Sequence, residues 1–234
     1  MTEAKPPHGP FEDNPWPSTL PAHAVEPGMR PLLHGFDVQA DLAKNYRFGE
    51  IVLTALTGEA PSAEAGAGFD VALAFWLPAS AGEAPVHAAI VARMNGARFS
   101  GALATGAIGL CEQARAVVDR NLEVLAWLAR PEAPFPTSAK AASEEERAAV
   151  ERLEDRLRAT GSEPRTTGAD ASLEAALLAA LDEAGLKRPE QIISALVLAK
   201  LPVVAAEAAA TRVAAFQSYP SRLPELSYVE EDAP

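Results

Sequence analysis

Hydrophobic positions recur at helical spacing over most of the chain, and this periodicity predicts a succession of helices. Helices are predicted to begin at Asp37 and Phe48 and to cover residues 69–77, 85–97, 101–128, 143–160, 171–184 and 189–199. A last helix is expected to open or kink at Pro202 and to end near Phe216, because proline cannot donate the backbone hydrogen bond of a helix interior. The pattern therefore predicts an all-α fold.

Several of these helices carry start and stop signals in the sequence. Asp37 can accept hydrogen bonds from the first turn of its helix, and Ser143 with Glu146 has the spacing of a capping box. Gly58 is expected to end the helix that begins at Phe48, and Pro85 suits the first turn of the helix that it opens. Residues that interrupt helices are expected to bracket the helix 69–77 on both sides: Gly66, Gly68, Pro78 and Pro85.

The longest predicted helix, 101–128, is almost wholly apolar up to Cys111 and rich in small residues. Such a composition predicts a helix buried on all sides over its first half. The glycines 96, 101, 106 and 109 recur at a spacing of roughly four, which favours close helix packing over phosphate binding because no Gly-Lys-Ser/Thr follows them.

The remaining segments set the expected domain boundaries. Residues 1–17 are proline-rich and predict a disordered or extended arm, and residues 217–234 predict an acidic, proline-broken tail. Between them, 18–216 is interpreted as one domain, with a small β-hairpin over 18–35 turning at Pro27–Gly28. Within that domain, 131–170 is interpreted as a charged and proline-rich insert or as the remnant of a small domain.

Composition and charge narrow the functional classes. The chain has 234 residues, of which 48% are hydrophobic, and a formal net charge of -12. This acidic balance argues against nucleic-acid binding, which needs a basic face, and against binding to anionic membranes. The chain has one cysteine, Cys111, which is consistent with a reducing compartment. Because neither a signal peptide nor a transmembrane helix is predicted, the protein is expected to be cytoplasmic.

The run HGFDVQADLAKNYRFGEIVLTALTGEAP, residues 34–61, carries a family resemblance. It resembles the citrate synthase and citryl-CoA lyase family, which has an Arg-Gly-Tyr-x-Ile turn followed by a helix and a Gly-Glu-x-Pro stop. Here His34, Phe36 and Val38 stand in place of the arginine, tyrosine and isoleucine. Two later stretches, AAIVARMNGARFSGALATGAIGL and IISALVLAKLPVVAAEAAA, are similar to family helices in the same order.

The resemblance implies a citrate synthase-like helical fold, a dimer paired through a helix such as 101–128, and chemistry on an acyl-CoA. The family forms an enolate with a carboxylate base, stabilises it with histidine donors and holds carboxylates with arginines. The sequence departs from that pattern at each catalytic motif. GLCEQARAV replaces the histidine loop, no histidine follows His87, Lys200 stands where an arginine is expected, and Ala206 stands near a histidine position.

The remaining chemically active residues each have a simpler structural interpretation. Cys111 lacks a partner histidine and is expected to be a buried, inert thiol. Asp182 is the carboxylate nearest to the family's catalytic aspartate, but its charged helical context favours a solvated position. The four histidines, His8, His23, His34 and His87, are scattered without metal-ligand spacing, and hydrogen bonding or surface roles are expected for them.

Two functions are consistent with this sequence. The first is a non-catalytic citrate synthase-like subunit or regulatory protein, with no catalytic residue, no metal and no resident cofactor, forming a homodimer or a hetero-oligomer with an active paralogue. The second is a divergent citrate synthase or citryl-CoA lyase acting on an acyl-CoA through a rebuilt site. Candidate groups for such a site are Glu112, Arg115, Asp182 and Lys200. Whether the protein is an enzyme stays open at this stage.

Overall fold

The computed structural model describes residues 23–26, 29–130, 132–163 and 170–213. Over these residues the chain is mostly helical, with one small antiparallel sheet, and it divides into two compact units, Met1–Ala60 and Pro61–Pro234. The predicted arm, the acidic tail and the Pro27–Gly28 turn lie outside the described residues.

The first unit contains the sheet and two helices. The strands are β1, Val25–Glu26, β2, Leu32–Leu33, and β3, Phe36–Asp37, paired antiparallel in the order β1-β2-β3. The sequence predicted a two-stranded hairpin, so β3 is a correction. It forms because a tight turn at His34 and Gly35, both with positive φ, sends the chain back along β2 and pairs Leu33 with Phe36.

After the sheet, Asp37 caps a short π-helical turn, Val38–Leu42, through hydrogen bonds from the backbone of Gln39 and Ala40. This turn continues into α1, Ala43–Asn45, and α2 follows over Phe48–Thr57. As predicted, α2 ends at Gly58, whose φ of 83° is the left-handed conformation that glycine adopts readily.

The second unit contains the larger helices. They are α3, Ala63–Trp76; α4, Ala84–Met94; α5, Phe99–Arg120; α6, Leu122–Leu128; α7, Glu144–Ala159; α8, Leu173–Glu183; and α9, Pro189–Ala210. Two groups of packed helices form its core. The first joins α4, α5 and α9, and the second packs α8 against α3, α6 and α7.

Three helix boundaries differ from the sequence prediction. The third helix begins at Ala63, capped by Ser62, so Gly66 and Gly68 lie inside it rather than before it. The predicted helix 101–128 is interrupted at Asn121, which separates α5 from α6. Conversely, α9 runs unbroken through Pro202, which has no N–H to donate.

Burial along the helices also differs from the prediction. Only one stripe of α5 is buried, formed by Ala102, Gly106, Leu110, Ala114, Val117 and Val118. The helix that is buried on all sides is α8, in which every residue from Ala175 to Leu181 is buried. The first turn of α7 contains three glutamates, whereas residues 175–181 of α8 are all Ala or Leu. This part of α8 can therefore be enclosed without burying a charge.

Helix α9 is long and apolar enough to cross a membrane by length and composition, which the sequence prediction did not anticipate. In this fold it packs against α3, α4 and α5. Its residues Val204 and Ala208 belong to a buried cluster with Val86 and Ala89 of α4 and with Ala102 and Leu110 of α5. This packing buries one side of α9, and 39% of its most apolar window is buried.

Glu146 ties the start of α7 to the start of α8. Its backbone N–H is held by Ser143, as predicted, but its carboxylate accepts N–H groups from Ala142 and Leu173 rather than from Ser143. The predicted capping box is therefore half correct. The two segments that this carboxylate joins also form an antiparallel bridge at Lys140 and Ala171. In it, the Ala141 N–H donates to the Asp170 carbonyl, and the Ser172 N–H donates to the Ala139 carbonyl.

We expect Glu146→Ala to lower the free energy of unfolding by about 1–2 kcal/mol, because two backbone donors lose a charged acceptor. The exposed neighbour Glu145→Ala is the matched control, with an expected change within about 0.5 kcal/mol. Urea unfolding monitored by circular dichroism measures both. Equal midpoints for the two variants would contradict the proposed role of the Glu146 carboxylate.

Candidate functional site

Lys200 is a charged residue inside the second unit. Its side chain is 9% exposed, and its neighbours on the buried face of α9 include Leu196, Ala199 and Val204. The ammonium lies 5.0 Å from the ring centroid of Trp76, at the end of α3, in a cation–π contact. A lysine this buried requires an anionic partner.

Glu83 supplies that partner. It precedes α4, and its Oε2 lies 2.7 Å from Lys200 Nζ. Gln113, on α5, donates its Nε2–H to the same oxygen over 2.9 Å, and the backbone N–H of Ser80 donates to Oε1 over 3.0 Å. We refer to Trp76, Glu83, Gln113 and Lys200 as the Lys200 cluster, which joins four helices around one ion pair.

The environment keeps the Glu83 carboxylate ionised. Partial burial alone would raise the pKa of Glu83, but the hydrogen bonds from Gln113 and Lys200 outweigh it, and the pKa lies below its usual range. A carboxylate stabilised in this way is a weaker base than a free one.

A second ion pair lies within the influence of the Lys200 charge. Arg120, the last residue of α5, forms a two-pronged contact with Glu174 in the first turn of α8. Asn121 donates to the same carboxylate over 2.8 Å. Burial acts to raise the pKa of Glu174, but these hydrogen bonds and the charges of Arg120 and Lys200 lower it overall.

In the two ion pairs, each charged group has a partner of opposite charge. Each cation faces a carboxylate, and the amides of Gln113 and Asn121 occupy further acceptor positions. Among the described residues, no group of three or more His, Cys, Asp or Glu side chains could hold a metal ion. Such an arrangement can position helices and bind carboxylates. Its donors already bind the carboxylates of Glu83 and Glu174.

The candidates for a rebuilt site do not converge. Only Lys200 belongs to the cluster. Glu112 and Arg115 form an exposed ion pair on α5, which Asp119 extends, and Asp182 pairs with Lys187 over 2.6 Å at the end of α8. The Asp182 side chain is half-buried, so the predicted solvated position is only partly correct.

The cysteine and the histidines are also spread apart. Cys111 is exposed on α5, and the prediction of a buried thiol is wrong because the apolar surface around it faces outward. His34 lies against Gly58 and makes a 3.1 Å hydrogen bond with the carbonyl of Ala55, as its predicted structural role requires. His87 and His23 are exposed, Ala206 is exposed on α9, and His8 lies outside the described residues.

Sequence reasoning missed most of the cluster. Glu83, Gln113 and Trp76, and the associated Arg120 and Glu174, were not singled out. One signal was present: Gln113 and Arg120 on α5, and Asn121 directly after it, fall at helical spacing relative to the buried Val117. Polar residues on an otherwise apolar stripe indicate buried polar contacts.

The lowered pKa of Glu174 predicts an acid-dependent loss of stability. Because its pKa is below 4.5 in the folded protein, the ionised form stabilises the fold above about pH 4.5, and this contribution disappears as the pH falls through the folded pKa. We expect Glu174→Gln to cost about 1 kcal/mol at pH 7 and less below pH 4. Urea midpoints between pH 7 and pH 3.5 measure this, with Glu151→Gln on α7 as control. A constant difference across this range would contradict the prediction.

Comparison with known proteins supports the fold alone. No family model and no curated protein sequence matches the chain. Its structure is similar to citryl-CoA lyase from Hydrogenobacter thermophilus, with a TM-score of 0.64 and 14% identity over 92% of this chain and 96% of that one. The match confirms the predicted citrate synthase-like, mostly helical fold in a chain of highly divergent sequence.

Two larger proteins contain a similar structure. ATP citrate lyase from Methanosaeta concilii, in complex with (3S)-citryl-CoA, matches with a TM-score of 0.57 and 13% identity over 94% of this chain. ATP citrate lyase from Methanothrix soehngenii, in complex with citrate and coenzyme A, matches with a TM-score of 0.59 and 12% identity over 98% of this chain. The match spans 44% and 46% of those chains, respectively.

Proposed function

We propose that this citrate synthase-like chain is a non-catalytic subunit or regulatory protein. The observation that carries the proposal is the ion pair between Lys200 and Glu83. The position where the family resemblance implies a carboxylate-binding arginine holds a buried lysine, and an internal carboxylate already neutralises it. A substrate carboxylate would have to compete with a group that is part of the fold.

The chemistry of acyl-CoA enolisation supports the same proposal. That step needs a carboxylate of sufficient basicity and a donor at the thioester oxygen. The carboxylates of the two ion pairs, Glu83 and Glu174, each accept hydrogen bonds from an amide side chain and from a cation, and these contacts lower their pKa. Among the described residues, no histidine contributes a hydrogen bond to these carboxylates, and the His87 side chain is exposed.

An activity assay of the purified chain alone tests the proposal. We expect no condensation of acetyl-CoA with a 2-oxo acid above the rate without protein. Enzymes of ordinary efficiency turn over at roughly 1–1,000 per second, so a true activity is easily detected. Condensation that scales with protein concentration and saturates with substrate would refute the non-catalytic assignment.

The outward face of α5 supports an assembly role. Ile108 is 69% exposed, and the small residue Ala104, about one helical turn earlier, is exposed on the same face. A small residue beside an exposed apolar one lets another helix approach closely. A second copy of this chain, paired about a two-fold axis near Ile108, is the occupant that we propose, and an active paralogue is the alternative partner.

Cys111 provides a direct test of this pairing. In an antiparallel pair centred on Ile108, the two Cys111 residues are separated by about six residues along the axis, or roughly 9 Å. We expect a short thiol-to-thiol cross-linker to yield a covalent dimer, with Cys111→Ser as the negative control. Ile108→Glu should give a monomer by light scattering, whereas Ile108→Leu should remain dimeric. A monomeric wild-type chain would contradict the homodimer and would favour an active paralogue as the partner.

One observation favours the alternative function, a divergent lyase or synthase. Two ionised carboxylates, Glu83 and Glu174, lie under the influence of the buried cation Lys200, and carboxylates with shifted pKa values cluster at functional sites. If this alternative holds, the wild-type chain turns over an acyl-CoA and Lys200→Met abolishes that activity while the protein remains folded. Activity that survives Lys200→Met would place the site elsewhere.

A further inference from the structure

The two members of the Lys200–Glu83 ion pair differ in their access to water. The Lys200 side chain is 9% exposed and lies over the Trp76 ring, whereas the Glu83 side chain is 28% exposed. Glu83 also follows an exposed turn, residues 80–82, that contains Gly82. The carboxylate can therefore leave the pair for solvent by a movement of this turn, but the ammonium cannot leave its buried position.

The donors around Glu83 form a receptor for a carboxylate. Lys200 Nζ and Gln113 Nε2 converge on Oε2 from 2.7 Å and 2.9 Å, and the Ser80 backbone N–H donates to Oε1. If Glu83 swings outward, the Lys200 ammonium remains buried without an anion, and the free energy of that state favours capture of another anion. Lys200 and Gln113 would offer such an anion the same two donors.

We propose that Glu83 is an autoinhibitory latch: an internal carboxylate that occupies the Lys200–Gln113 receptor and is displaced by a free small-molecule carboxylate. The proposal rests on the proposed function, because a non-catalytic binding protein requires ligand capture without turnover. Displacement frees the Ser80 N–H and loosens residues 80–83, at the start of α4. Carboxylate binding is thereby coupled to the conformation of that turn.

The latch predicts that removing the Glu83 charge strengthens binding. The probe is succinate at pH 7.5, with sulfate as a non-carboxylate anion. If the latch is closed in about nine molecules of ten, it weakens the apparent affinity about tenfold. We therefore expect Glu83→Gln to bind succinate at least about tenfold more tightly than the wild-type protein in calorimetry. Glu151→Gln on α7, which makes the same change in net charge, should bind as the wild-type protein does.

Adding Lys200→Met to Glu83→Gln should abolish the gain, because the receptor cation is then absent. The latch is overturned if Glu83→Gln binds no more tightly than Glu151→Gln, or if the gain survives without Lys200. An equal gain for sulfate would also overturn it, because a general anion site would then replace the proposed carboxylate receptor.

Two further measurements keep the test decisive if Glu83→Gln does not fold. Glu83→Asp keeps the charge but shortens the side chain by one methylene, and we expect about a threefold gain in succinate affinity. In the wild-type protein, saturating succinate should speed hydrogen exchange of the Ser80 amide. No gain for Glu83→Asp and unchanged Ser80 exchange would overturn the latch. Turnover by the wild-type chain would refute the proposed function and leave these binding results to be judged separately.

Discussion

Gly106→Ala is expected to destabilise the protein by about 1–3 kcal/mol, the range for inserting a group into a well-packed core. An added Cβ at Gly106 would lie 2.4 Å from Val204 Cγ1 on α9, and 3.1 Å from both the Ala89 Cβ and the Pro85 carbonyl oxygen on α4. The backbone carbonyl cannot rotate away as a side chain can. The three-helix core of α4, α5 and α9 would have to separate slightly.

Gly101→Ala is the matched control on the same helix. An added Cβ at Gly101 meets nothing within 4 Å, so only the backbone preference changes. We expect Gly101→Ala to be neutral or to stabilise by up to about 1 kcal/mol, since alanine favours the helix and restricts the unfolded chain. Urea unfolding with circular dichroism compares both variants. A Gly106→Ala protein as stable as Gly101→Ala would show that α5 does not pack against α4 and α9 as described.

The second large effect is an asymmetry between the partners of one ion pair. Glu83→Gln is expected to cost about 1–2 kcal/mol, because it leaves the buried ammonium of Lys200 without an anion. The cost is below the 3–5 kcal/mol typical of fully buried pairs since Glu83 is itself partly exposed to solvent. Lys200→Met should cost less than about 1 kcal/mol, because methionine keeps an apolar stem beside Trp76 and Glu83 can turn to water.

A double-mutant cycle measures this asymmetry. The pair Glu83→Gln and Lys200→Met should be more stable than Glu83→Gln alone, since the second change removes the unpaired charge. Equal costs for the two single variants, or a double variant less stable than either, would contradict the view that the Lys200 ammonium is the member confined to the interior.

Local capping chemistry explains which parts of the fold could be predicted. Asp37 and Gly58 mark helix ends through hydrogen bonds and backbone conformation that depend on a few neighbouring residues. The prediction was wrong at Gly68 and Pro202, because tertiary packing determines that both residues lie inside helices. Gly68 lies inside α3, where an added Cβ would be 2.7 Å from Ser162 Oγ, and packing of Val204 and Ala208 holds α9 together beyond Pro202.

The hydrophobic composition of α5 and α8 does not by itself say which helix is enclosed. Both sequences are rich in alanine and other apolar residues, yet α8 is buried on all sides, and α5 exposes Ile108 and Cys111. The difference arises from neighbours that are distant in sequence. An exposed apolar face on α5 is also what a partner helix would cover.

Of the Lys200 cluster, only Lys200 itself could be predicted from the sequence. The family resemblance indicates Lys200, but its partner Glu83 lies 117 residues earlier in the chain, and no local sequence feature links the two residues. Gln113 lies in the stretch that replaces the family's histidine loop, and its sequence neighbours do not indicate a buried partner. The fold brings these residues together at the meeting of α3, α4, α5 and α9.

Cleavage of citryl-CoA by the purified wild-type chain, followed as release of the free CoA thiol, tests the central claim most directly. We expect a rate equal to that of a sample without protein, and equal to that of the Lys200→Met variant. Thiol release that is proportional to protein concentration, saturates with citryl-CoA and disappears in Lys200→Met would contradict the account and establish a rebuilt catalytic site around Lys200.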